Sequence, residues 1–136
     1  MGAESPKAGN NGIYSKAHNT ELNFFEHLQA NPPQGQRFNH HMGGYSLGRP
    51  SWHEFYPVEK NLIEGFNKTE DNAALIVDIG GSVGHDLDEF RRKFPNAGGR
   101  LVLQDLPVVI GQIGELDAKI ERMPYDFFEE QPVKGT

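Results

Sequence analysis

The residues of this chain that could do chemistry gather around one glycine-rich loop. Gly80-Gly81-Ser82-Val83-Gly84 follows the apolar run Ala73-Ala74-Leu75-Ile76-Val77-Asp78-Ile79 and precedes a helical pattern. At such a junction backbone N–H groups are expected to point outward, and missing Cβ atoms let a ligand approach the main chain. Asp105 stands 25 residues after Gly80, at the end of a second apolar run, Leu101-Val102-Leu103-Gln104. An acid at the carboxyl end of a neighbouring strand can accept hydrogen bonds from both ribose hydroxyls of a nucleoside. Loop and acid together point to a nucleoside-containing cofactor. The competing reading is a tight strand–helix junction that binds nothing.

Other chemistries are poorly served. Ile79 occupies the position where G-x-G-x-x-G needs its first glycine, and no Gly-Lys-Ser/Thr phosphate loop exists. His40 and His41 are adjacent and so diverge on a helix; His53 follows Trp52, and His85 flanks the loop as a solvated residue. No HExxH or similar ligand spacing occurs, so no metal site is expected. The absence of cysteine excludes disulfides, cysteine–zinc sites and thiol catalysis, and fits a reducing, cytoplasmic setting. With 19 acidic and 13 basic residues the net charge is −6, and without a basic face no nucleic-acid partner is expected. Apolar stretches such as Ala73 to Val77 fall far short of the ~18 residues that span a bilayer, so no membrane partner is expected. No signal peptide is expected either, and the sequon Asn67-Lys68-Thr69 reads as chance.

The elements that must position the loop follow from periodicity. The 136 residues suit one domain, and an apolar content of 36% plus 16 glycines lies in the globular range. Residues 1–12 read as a mobile tail. Residues 13–70 read as helical: one helix from Tyr14 to Ala30, and another from Pro32 carrying Phe38, Met42 and Tyr45. Ser51 and Glu54 have capping-box spacing, with Pro57 kinking or restarting the helix beyond. Trp52, Phe55 and Phe66 are expected to form exposed apolar faces. From residue 71 strands and helices alternate. The strand over 73–79 precedes a helix with Val83, Leu87, Phe90 and Phe94 on one face. The 101–104 strand leads into a helix from Pro107 through Leu116, and a third strand lies near Ile120 to Tyr125. The fold class is therefore α/β: N-terminal helices, then a partial Rossmann-like β-α-β-α-β unit over 71–136.

Ile76-Val77-Asp78-Ile79-Gly80-Gly81-Ser82-Val83-Gly84 resembles the first S-adenosylmethionine motif of class I methyltransferases. Leu103-Gln104-Asp105-Leu106-Pro107, and Tyr125-Asp126-Phe127-Phe128 with Gln131-Pro132-Val133-Lys134-Gly135, resemble segments of fungal O-methyltransferases related to plant small-molecule enzymes. Phe38-Asn39-His40-His41-Met42 and Gly48-Arg49-Pro50-Ser51-Trp52 resemble helices that precede their catalytic domain. The resemblance covers roughly residues 20–136 and implies S-adenosylmethionine as cofactor. It places Gly80, Gly81 and Gly84 against the methionine part and has Asp78 orient the loop. It further implies Asp105 on the ribose, Leu106 against the adenine, Asp126 and Phe127 at the adenine edge and face, and Ser46 near the cofactor carboxylate. The family's general-base histidine lies beyond the position matched by Thr136, so no catalytic residue is assigned. Expected functions are methylation of small-molecule hydroxyls such as secondary metabolites, silent binding to a partner, or a non-methylating rearrangement. The missing neighbour strand implies a homodimer or a complementing chain.

Overall fold

The computed structural model describes residues 12–45, 48–66 and 72–134. Two compact units divide the chain, Met1–Tyr45 and Ser46–Thr136. The division falls earlier than residue 70, because residues 52–66 belong with the sheet rather than with the preceding helices.

The first unit contains α1 (Ile13–Ala17), α2 (Phe24–Ala30) and α3 (Pro32–Tyr45). The single helix expected from Tyr14 to Ala30 is broken. Asn23 accepts the Glu26 N–H while Glu26 accepts the Asn23 N–H, a reciprocal cap that starts a new helix inside the apolar pattern. Asn19 adopts a φ of 48°, and the Ser15 hydroxyl donates to the Leu22 carbonyl across the break.

The second unit is built on a three-stranded parallel sheet in the order β1-β2-β3, with β1 Ala74–Ile79, β2 Arg100–Asp105 and β3 Ile120–Pro124. Helix α5 (His85–Lys93) joins β1 to β2, as apolar runs separated by an amphipathic segment require. Asp86 and Asp88 lie in its first turn and Arg91, Arg92 and Lys93 in its last, matching the helix dipole. Helix α6 (Pro107–Ile110) follows β2 and is much shorter than the Pro107–Leu116 span expected, stopping at Gly111. The Arg100 guanidinium donates twice to Glu121, which ties the start of β2 to β3.

Helix α4 (Trp52–Phe55) begins at Ser51, but the expected capping box does not form. The Ser51 carbonyl, not its hydroxyl, accepts the Glu54 N–H. After Pro57 the chain makes a π-helical turn at Glu59–Ile63. Val58, Leu75, Leu87, Phe90, Leu101, Leu103, Ile113 and Ile120 form the core, and Trp52, Leu62, Ile63 and Phe66 pack against it. Of the expected exposed aromatics only Phe55 is exposed, at 74%. Trp52 instead stacks on Phe90, ring centroids 5.8 Å apart and 9° from parallel.

Phe90 is fully buried and also touches Phe94. Phe90→Ala is expected to cost about 3–5 kcal/mol, the range for removing a buried phenylalanine. Urea unfolding followed by fluorescence of Trp52, the one tryptophan, measures it. A loss below about 1 kcal/mol would show that the core collapses around the vacancy.

Candidate functional site

Because all three strands are parallel, Ile79, Asp105 and Pro124 end at the same edge of the sheet. Three connecting segments therefore leave that edge side by side: 80–84, 106–107 and 125–131. Crevices at the carboxyl edges of parallel sheets are where ligands bind in open α/β folds.

The glycine loop is a continuation of the β1–β2 ladder. Gly80 and Gly81 N–H both donate to the Gln104 carbonyl, at 2.7 and 3.3 Å. Ser82 N–H donates to Asp105 Oδ2 at 2.8 Å, and Gly84 N–H to the Gly81 carbonyl at 2.9 Å. This corrects the expectation of outward-pointing donors: four amides of the loop are engaged within the fold. The glycines are needed for space. A Cβ at Gly81 would collide with the Asp78 carboxylate and with Leu103. At Gly84, with φ +87°, it would meet Leu103 at 2.9 Å. Ser82 holds a left-handed φ of 55°, and its bond to Asp105 supports that uncommon conformation.

What the loop presents is negative charge. Asp105 Oδ1 also accepts the Leu106 N–H at 2.8 Å, which leaves two of about four carboxylate lone-pair positions for a ligand. Asp78, one residue before the end of β1, keeps Oδ2 buried without a hydrogen-bond partner. Burial raises its pKa above the usual carboxylate value, and the nearby charges of Asp86 and Asp105 raise it further. Three acids thus cluster around a loop four of whose five backbone amides are engaged within the fold. The arrangement suits a ligand carrying hydroxyl donors and positive charge, rather than a phosphate.

The third wall follows β3. Tyr125 N–H donates to the Asp105 carbonyl at 2.9 Å, placing the segment beside the acid. Asp126 Oδ1 accepts the Phe128 N–H, and Phe127 is 59% exposed, so its ring is available to a flat ligand. Asp78, Gly80, Gly81, Gly84, Asp105 and Leu106 are therefore brought together, with Asp126 and Phe127 on the adjoining segment. Ser46 lies outside the described residues. His85 is exposed at the start of α5, and no cluster of metal-ligating side chains occurs among the described residues. No described helix is long and apolar enough to cross a membrane. Sequence reasoning missed the side chains of Gln104 and Gln131, which pair through both amides at 2.8 Å. The glutamine within an apolar run, and Gln131 at the head of Gln131-Pro132-Val133-Lys134-Gly135, are the signals that could have hinted at it.

No protein-family model matches the chain. It is 42% identical over 136 residues to the O-methyltransferase asqD of Emericella nidulans, covering 99% of this chain and 35% of that protein. It is 41% identical to the O-methyltransferase penC of Penicillium thymicola, over 99% of this chain and 33% of that one. The chain thus spans about a third of the length of the curated relatives it matches. Among solved structures it is similar to LepI in complex with SAM, at 36% identity and a TM-score of 0.73. That match covers 93% of this chain and 32% of the other. A structure described as a pericyclic reaction enzyme matches with the same identity, TM-score and coverage.

The raised pKa of Asp78 has a consequence for stability. Its ionised form is disfavoured in the folded chain, so it costs stability at pH 7; the cost vanishes below about pH 4, where the carboxyl is protonated folded and unfolded alike. Asp78→Asn is therefore expected to raise the ligand-free melting temperature at pH 7, with the gain absent near pH 3.5. Melts at the two pH values check this. A lower melting temperature at pH 7 would mean that the carboxylate is compensated within the fold.

Proposed function

From a chain homologous over nearly all its length to about a third of fungal O-methyltransferases, we propose that residues 74–127 form the cofactor-binding part of an S-adenosylmethionine-dependent O-methyltransferase-like protein. One observation carries the reading: the Asp105 carboxylate, at the carboxyl edge of β2, grips the glycine loop through Ser82 and keeps acceptor capacity for a diol. Relatives solved with SAM and with SAH, matching at 36% identity, support it.

The residues then divide the ligand among them. Asp105 accepts from the ribose hydroxyls, while Leu106 and Phe127 flank the adenine and Asp126 meets its edge. Gly80, beside whose Cα nothing lies within 4 Å of a Cβ position, leaves room for the methionine chain; Gly81 and Gly84 keep the loop tight beneath it, and Asp78 and Asp86 favour its positive charges. When bound, the cofactor supplies an electrophilic methyl group on a sulfonium. The chain's contribution is to orient it and to offset its charge, which is positioning rather than bond-making. The acceptor class is a small-molecule hydroxyl. The helices α1–α3, within residues 13–45, precede this part in the chain. The free edge of β1, paired only with β2 among the described residues, is where a second copy or a complementing chain adds a strand. A cytoplasmic setting fits the absence of cysteine.

A second reading keeps the pocket and changes the reaction, since one solved relative is described as a pericyclic reaction enzyme. Mass analysis of a phenolic acceptor separates the two: methyl gain supports transfer, isomerisation without mass change supports rearrangement, and neither supports a silent binder.

Calorimetric titration with S-adenosylhomocysteine tests the site. Asp105→Ala is expected to weaken binding by about 1–3 kcal/mol, roughly 5- to 150-fold, because ligand hydroxyls and the Ser82 amide lose their acceptor. Unchanged affinity would remove Asp105 from the site.

A further inference from the structure

Gln104 is fully buried next to the last residue of β2, and its carbonyl and side-chain amide bond to two of the walls of the site. Its carbonyl accepts the Gly80 and Gly81 amides, which shapes the glycine loop. Its side-chain amide forms a two-way pair with Gln131: Gln104 Nε2 donates to Gln131 Oε1, and Gln131 Nε2 donates to Gln104 Oε1, both at 2.8 Å. Gln131 Oε1 accepts the Val133 N–H as well, and Gln104 Nε2 lies 3.1 Å from Met123 Sδ. The segment after β3 is thus clamped at both ends on consecutive residues of β2. It starts with Tyr125 N–H on the Asp105 carbonyl and finishes with Gln131 on Gln104. Between the clamps lie Asp126, Phe127 and Phe128, tightened by the Tyr125 hydroxyl donating to the Glu129 carbonyl at 2.6 Å.

We propose that the Gln104–Gln131 amide pair is a positioning element that holds the Asp126–Phe127–Phe128 loop against the ligand, coupling it to the glycine loop through one buried residue. A core position is a costly place for an amide, and it persists where every polar atom is matched. Phe127 and Phe128 are 59% and 86% exposed, so burial does not fix them; bonds within the segment shape it, and the clamp anchors it to β2. The inference rests on the reading of this edge as a nucleoside site. Neither glutamine is expected to touch the ligand.

The test uses S-adenosylhomocysteine and adenosine as probes, with Gln131→Leu and Gln131→Glu variants. Far-ultraviolet circular dichroism and Trp52 fluorescence verify that each variant is folded. Gln131→Leu is expected to weaken both probes about tenfold and to speed amide hydrogen exchange across 125–133 in the free chain, leaving Val77 and Leu103 protected. Gln131→Glu supplies a signature that a merely structural role would not give. As a carboxylate it cannot donate to Gln104 Oε1, but as a neutral acid it can. Its affinity deficit relative to wild type should therefore shrink as pH falls from about 8 to about 5, since an ordinary Glu pKa is ~4.3 and burial raises it. Wild-type binding with undiminished affinity in folded variants overturns the clamp alone. No binding by the wild-type chain overturns the site reading on which the clamp rests. Unchanged exchange across 125–133 in folded Gln131→Leu overturns the clamp without reference to any ligand.

Discussion

Where β1 ends at Ile79, its hydrogen-bond ladder with β2 does not stop. The Gln104 carbonyl takes the next two amides, Gly80 and Gly81, and the Asp105 carboxylate takes Ser82. Extending a ladder beyond a strand forces the chain to turn within reach of its neighbour, and only small residues permit that. Gly81 sits where any Cβ would strike Asp78 and Leu103, and Gly84 starts α5 in a left-handed conformation. The direction of α5, the burial of Leu87 and Phe90, and the clustering of three acids all follow from this turn. So does the charge at this edge, because amides committed to the ladder leave carboxylates as its prominent polar groups.

Acid placement carries an energetic tension. Asp78 is partly buried beside two like charges, so its ionised form is held at a cost to the empty fold. A ligand bearing hydroxyl donors and positive charge would offset that cost. Destabilising charge of this kind is common at functional sites. Ser82, at a φ of 55°, fits the same pattern on a smaller scale.

The legible part of the sequence was the part dominated by local pattern. Apolar runs at 73–79 and 101–104, with glycines after the first and Asp105 closing the second, disclosed the parallel unit and the loop and acid that its carboxyl edge brings together. The failures each have a physical cause. Asn23 and Glu26 cap a helix inside a stretch whose apolar spacing hid the break. Ser51 has capping-box spacing with Glu54, yet its carbonyl makes the bond. The turn at Glu59–Ile63 joins Trp52 and Phe66 to the sheet, which placed the unit boundary earlier than composition suggested. Outward loop amides were inferred from glycine content alone, whereas partners 23 and 24 residues away decide where the amides point. The Gln104–Gln131 pair joins polar side chains 27 residues apart, a contact with no periodic trace.

The central claim is that the three segments leaving one sheet edge act as a single nucleoside-binding surface. Backbone amide chemical shifts of the labelled chain, recorded through a titration with S-adenosylhomocysteine, test it most directly. Saturable shifts are expected at Gly80, Gly81, Ser82, Leu106 and Phe127 together, with one shared dissociation constant, and none in α1 or α2. Shifts confined to the helices of the first unit, or segments responding with different constants, would contradict it.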